Sequence, residues 1–164
     1  MPYHDVRLLT SIFERCCGTC NLDTLEISFC GLHDEPALTL IYALAKLPKL
    51  KKLVLDINMF WRNRSEQESA LSPMSFGVAL AALIQNSSKL EEVSLCQCAL
   101  GVEDIEMLVG ALRGNTTLKI LALFGNDGGS GEINTIGERG WEALADQLCN
   151  TESVNSTYHS NHTL

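Results

Sequence analysis

An α/β solenoid, with short parallel strands along its inner side and helices outside, is predicted by three features of this 164-residue chain. A five-position apolar pattern recurs four times. A helix-period apolar stripe lies at a constant offset before each copy. The base spacing of the copies, 28 residues, falls within the range of repeat architectures, roughly 20–50 residues.

The strand copies come first. LDTLEISFCGL places Leu22, Leu25, Ile27, Cys30 and Leu32; LKKLVLDINMF places Leu50, Leu53, Leu55, Asn58 and Phe60. LEEVSLCQCAL places Val93, Leu95, Cys98 and Leu100 after Leu90, and LKILALFGN places Leu121, Leu123 and Asn126 after Leu118. A fifth stretch, VNSTYHSNHTL, fits weakly, with Thr157, His159 and His162 where apolar residues and Asn or Cys are expected. The first positions, 22, 50, 90, 118 and 154, are 28, 40, 28 and 36 residues apart, so the second and fourth units carry insertions.

The helices follow. Apolar residues at offsets i, i+3, i+4 and i+7 mark one helical face. They are Leu9, Ile12, Phe13 and Cys16, then Ala37, Leu40, Ile41 and Leu44, then Gly77, Leu80, Ala81 and Ile84. The later stripes are Ile105, Leu108, Val109 and Leu112, and Trp141, Leu144, Ala145 and Leu148. Gly18, Asn86, Gly114 and Asn150 stand four residues before strand starts, where a left-handed residue ends a helix; Lys46 occupies that place in the second unit. The predicted organisation is one domain: a helical half-unit at 1–21, units at 22–49, 50–89, 90–117 and 118–153, and a degraded or truncated unit at 154–164. With no polar cap evident at either end, the array is expected to be part of a longer one.

The column Cys30, Asn58, Cys98, Asn126 lies where the chain bends away from each strand. A buried asparagine there can donate to and accept from backbone groups that the bend leaves unpaired, across units; a cysteine does less.

These stretches resemble leucine-rich repeats. The 28-residue period with a helix in each unit, and the alternation of Cys and Asn, resemble the ribonuclease-inhibitor-like subfamily. The resemblance implies a right-handed horseshoe arc of four to five repeats with a concave parallel sheet and convex helices. It implies a non-enzymatic protein–protein interaction scaffold, since members of the family are mostly protein-binding surfaces. Some regulate enzymes in trans, so a GTPase-activating role is the alternative, with Arg62 or Arg64 as the arginine that would be presented.

Composition narrows the function. A net charge of −8 argues against nucleic-acid and anionic-membrane binding. No apolar run reaches a membrane span and no secretory signal is evident, which leads to a cytoplasmic expectation. Seven cysteines, an odd number, fit reduced thiols. Cys17 and Cys20 form a C-x-x-C pair without the second pair a zinc site needs. The glycine-rich run 125–137 lacks the Lys-Ser/Thr of a phosphate loop. No nucleophile–base set is assembled, so no catalytic residue, cofactor, metal or small-molecule ligand is expected.

Residues between the core positions of each strand must face the concave side. They read Thr24, Glu26, Ser28; Lys52, Val54, Asp56; Glu92, Ser94, Cys96; and Ile120, Ala122, Phe124. The last triplet is wholly apolar. The predicted partner surface therefore comprises Lys52, Val54, Asp56, Ser94, Cys96, Ile120, Ala122 and Phe124, joined by Trp61, Arg62 and Arg64 from the 61–72 insertion at the strand–helix edge. The basic side chains Lys52, Arg62 and Arg64 suggest an acidic side on the partner.

Overall fold

The computed structural model describes residues 3–16, 18–32, 34–58, 76–126 and 136–148. Helices α1 (Tyr3–Cys16), α2 (Asp34–Leu44), α3 (Phe76–Asn86), α4 (Val102–Leu112) and α5 (Gly137–Leu148) alternate with strands β1 (Thr24–Glu26), β2 (Lys52–Val54), β3 (Glu92–Ser94) and β4 (Ile120–Ala122). The strands form one parallel sheet in chain order, β1-β2-β3-β4. Its register aligns Leu25, Leu53, Val93 and Leu121, so the repeat pattern of the sequence is the register of the sheet.

The core follows from the alternation of side chains along each strand. Leu53, Val93 and Leu121 point into one apolar cluster with Leu55, Leu95 and Leu123, and the helices close over it with Leu40, Ile41, Leu80, Ile84, Leu108 and Leu112. Leu50, Leu90 and Leu118 seal the entry to each strand at 0–1% exposure. Each such leucine contributes about 1.5–3 kcal/mol on burial. The helices also pack on their sequence neighbours, where Ala43, Ala79 and Ala111 are small enough to let them approach.

Two helix expectations need correction. Ile12, assigned to the core stripe of α1, is 49% exposed, while Val6 and Thr10 are buried. The buried face of α1 runs through Val6, Thr10 and Phe13, and α1 packs on α2. Ala145 is likewise exposed on α5. The helix ends differ too. Gly18 is left-handed (φ 86°) as expected, but Asn86 and Gly114 are not. Asn86 instead turns its amide back onto the Ala82 carbonyl. At the end of α4 the turn is made by Asn115, whose Oδ1 accepts from the Thr117 and Leu118 amides. Its Nδ2 donates to Ile84 O in the preceding unit.

The parallel ladder runs past the short strands. Ile27 and Phe29 donate to Val54 O and Asp56 O, Leu55 and Ile57 to Ser94 O and Cys96 O, and Leu95 and Gln97 to Ala122 O and Phe124 O. There it stops, because Phe29, Ile57, Gln97 and Gly125, at one register position, are all left-handed (φ 53–74°). The next residue in each unit is the Cys or Asn of the ladder column. Asn58 and Asn126 are 0% and 1% exposed. Asn58 Oδ1 accepts from the Cys30 and Leu32 amides, and its Nδ2 donates to Ile27 O and Leu55 O. Asn126 repeats this on Cys98 N, Leu100 N, Leu95 O and Leu123 O. Cys98 Sγ donates across units to Leu55 O, and Cys30 Sγ to Ser28 O in its own unit.

Candidate functional site

The sheet face opposite the core carries three rows across the four strands, set by the register. Thr24, Lys52, Glu92 and Ile120 form one row, and Glu26, Val54, Ser94 and Ala122 the next. Ser28, Asp56, Cys96 and Phe124 form the third, two residues beyond each second-row position, where the ladder continues.

On the two middle strands the polar groups are bound to one another. Lys52 Nζ lies 2.6 Å from Glu92 Oε1. That hydrogen bond, followed by the charges of Glu92, Glu26 and Asp56, holds the Lys52 ammonium above its ordinary pKa despite some desolvation. Asp56 Oδ1 accepts from Ser94 Oγ at 2.7 Å and from the Cys96 amide at 2.8 Å. Ser94 Oγ is also 3.5 Å from Cys96 Sγ. The serine hydroxyl donates to the carboxylate, so this group is a clasp between β2 and β3. Val54 and Ser94 are only 8% exposed and make the floor of the face.

The fourth strand differs. Ile120 is 43% and Phe124 74% exposed, with Ala122 half-buried between them. Beside Phe124, a Cβ on Gly125 would come 2.6 Å from Gln97 Cγ, so the Gln97 side chain lies over the glycine backbone. The bend rim adds two exposed apolar side chains that sequence reasoning passed over, Phe29 and Ile57. Both occupy the left-handed position, and the period alone could have marked it, because Gly125 stands there in the fourth unit.

Of the predicted partner residues, the structure therefore brings Lys52, Val54, Asp56, Ser94, Cys96, Ile120, Ala122 and Phe124 onto one face. Trp61, Arg62 and Arg64 lie outside the described residues, as do Cys17, the 61–72 insertion, the run 127–135 and the stretch 154–164. Lys52 is paired with Glu92 and flanked by Glu26 and Asp56, so among the described residues the charge around it is net negative; Arg62 and Arg64, on which the expected acidic side of the partner also rests, lie outside them.

A concavity of about 280 Å³ lies where α3 and α4 run into the following strands, lined by Ile84, Ser87, Gly110, Ala111, Asn115 and Thr117 among others. The residues lining it carry no charge. Among the described residues no group of three or more His, Cys, Asp or Glu could hold a metal ion. No helix among them is long and apolar enough to cross a membrane.

No family model and no curated protein matches the chain. Among solved structures, the C-terminal domain of tropomodulin from Caenorhabditis elegans is similar at 15% identity and a TM-score of 0.45, covering 88% of this chain and 93% of that one.

Proposed function

We propose that the chain is a leucine-rich-repeat scaffold of the ribonuclease-inhibitor-like type that acts in the cytoplasm without catalysis, and that it holds a protein partner on the concave sheet face and the strand–helix edge. One observation carries this reading. The polar groups of β2 and β3 satisfy one another through Lys52–Glu92 and Asp56–Ser94, while β4 leaves Ile120 and Phe124 in water. An exposed apolar row beside an internally satisfied polar floor is what a contact surface needs: something to bury and little to desolvate. Ile120, Ala122 and Phe124 would be the anchors, Cys96 their neighbour, and Val54 and Ser94 the floor. Trp61, Arg62 and Arg64 would close the edge.

The test is a pull-down from native extract with the wild-type chain, Phe124→Ala and Glu103→Ala, the last on the exposed side of α4. Circular dichroism first confirms folding. Loss of partners from Phe124→Ala with retention by Glu103→Ala is expected. The reverse pattern would move the contact surface to the helices.

A further inference from the structure

We infer that the segment bound on the concave face is extended, crosses the strands from β4 to β1, and carries a large apolar side chain with a lysine or arginine about four residues from it. This rests on the scaffold reading and goes on to specify the partner. The apolar side chain has its place on Ile120, Ala122 and Phe124. The basic one has its place at the other end of the rows. There the exposed carboxylate of Glu26 on β1 lies near Lys52, and among the described residues the carboxylates of Glu26, Asp56 and Glu92 act together on that one ammonium, which Glu92 already holds at 2.6 Å. Glu26 is exposed on β1, in register with Val54. Among the described residues, the rows thus run from an apolar end on β4 to an excess of negative charge toward β1.

Geometry sets the spacing. Neighbouring strands are about 4.8 Å apart, so β4 to β1 is about 14 Å, which an extended chain at about 3.3 Å per residue covers in about four residues. Charge sets the sign. Rim charges select among partners and set association rates, and an acidic segment would meet like charge here. The same argument disfavours a second copy of this chain, whose net charge is −8. It disfavours nucleic acid and anionic lipid as well.

The experiment is selection of a random peptide library displayed on phage against the full chain, followed by affinity measurement of the selected synthetic peptides at low and high salt. The expected peptides pair an aromatic or large aliphatic residue with Lys or Arg about four positions away. Phe124→Ala should weaken them at least ~10-fold and Glu26→Gln about 3–10-fold, with a smaller salt dependence in the Glu26 variant. Peptides that are acidic or uncharged, lost with Phe124→Ala but indifferent to Glu26→Gln and to salt, would overturn the basic-segment inference and leave the concave-face scaffold standing. Peptides indifferent to Phe124→Ala would overturn both. A selection without binders, or dimerisation of the chain abolished by Phe124→Ala, would also overturn the inference. Both side chains are exposed, so neither variant is expected to disturb the core, and Ile120→Ala provides an independent check on the apolar end.

Discussion

The carboxamide of Asn58 reaches back into the preceding unit, where its Oδ1 takes the amides of Cys30 and Leu32 at 3.1 and 3.0 Å. Its Nδ2 returns two hydrogens, to Ile27 O and Leu55 O. One side chain thus satisfies four backbone groups in a bend where the parallel ladder has ended. Removing it leaves buried groups unpaired, at about 1–3 kcal/mol for each unsatisfied group that water does not reach. Asn58→Ala and Asn126→Ala are each expected to cost about 3 kcal/mol in urea unfolding. Cys98→Ala should cost about 1 kcal/mol and Cys30→Ala less, since a thiol is a weak donor and Cys30 is half-buried where Cys98 is buried. Equal losses for all four would refute the ladder.

Asp104 couples two helices. It is 5% exposed; its Oδ1 accepts from Gly77 N at the start of α3 and its Oδ2 from Gly101 N ahead of α4. Both amides belong to helix starts that have no partner in their own helix. A Cβ on Gly77 would lie 2.8 Å from Asp104 Cα, so the approach also requires glycine. Gly77→Ala and Asp104→Ala are each expected to lose about 1–3 kcal/mol. In a double-mutant cycle the losses should be strongly non-additive; additive losses would show that the two residues act separately.

How much of this was readable beforehand depends on the reach of each interaction. The strands, the register and the asparagine column could be read because every unit repeats them at a fixed offset. The clasp Asp56–Ser94 and the pair Lys52–Glu92 join residues 38 and 40 apart. Their template positions predict proximity, but only the side-chain geometry shows that they satisfy each other. The left-handed column is marked in sequence only by Gly125, because Phe29, Ile57 and Gln97, which hold its other places, seldom adopt that conformation. Asn115 was missed because the glycine beside it seemed sufficient to stop α4.

That left-handed column gives a prediction of its own. Ile57 holds φ at 58° with a β-branched side chain that is 44% exposed, a conformation costing roughly 1–2 kcal/mol. Ile57→Asn is expected to raise stability by about 0.5–1 kcal/mol in chemical unfolding, since asparagine tolerates the left-handed region. A loss of stability would mean that the Ile57 side chain contributes packing that its exposure does not suggest.

Ser87 occupies the place in its unit that Asn115 occupies in the next. It is 5% exposed and its hydroxyl has no partner among the described residues. Ser87→Ala should therefore leave stability unchanged or raise it by up to about 1 kcal/mol, while Asn115→Ala should cost about 1–2 kcal/mol. Thermal unfolding of the two variants side by side checks the contrast, which a destabilised Ser87→Ala would reverse.

Burial pushes the Cys98 thiol from its ordinary 9.0 up to about 12. The folded chain then keeps a proton that the unfolded chain releases. The associated stability is complete below pH 9 and is lost as the pH rises toward 12, with a slope approaching about 1.4 kcal/mol per unit. Comparing unfolding free energies at pH 8 and pH 10.5, roughly the span that samples this loss, Cys98→Ala should show a smaller decline than the wild type. Identical declines would contradict the burial account.

The concave-face account is tested most directly by NMR chemical-shift mapping of the isotope-labelled chain with a captured partner protein. The expected result is perturbation centred on Ile120, Ala122, Phe124 and Cys96 and extending toward Glu26, with the outward positions Glu103 and Gly110 of α4 unchanged. Perturbation concentrated on α2, α3 and α4, with the β4 row silent, would contradict it.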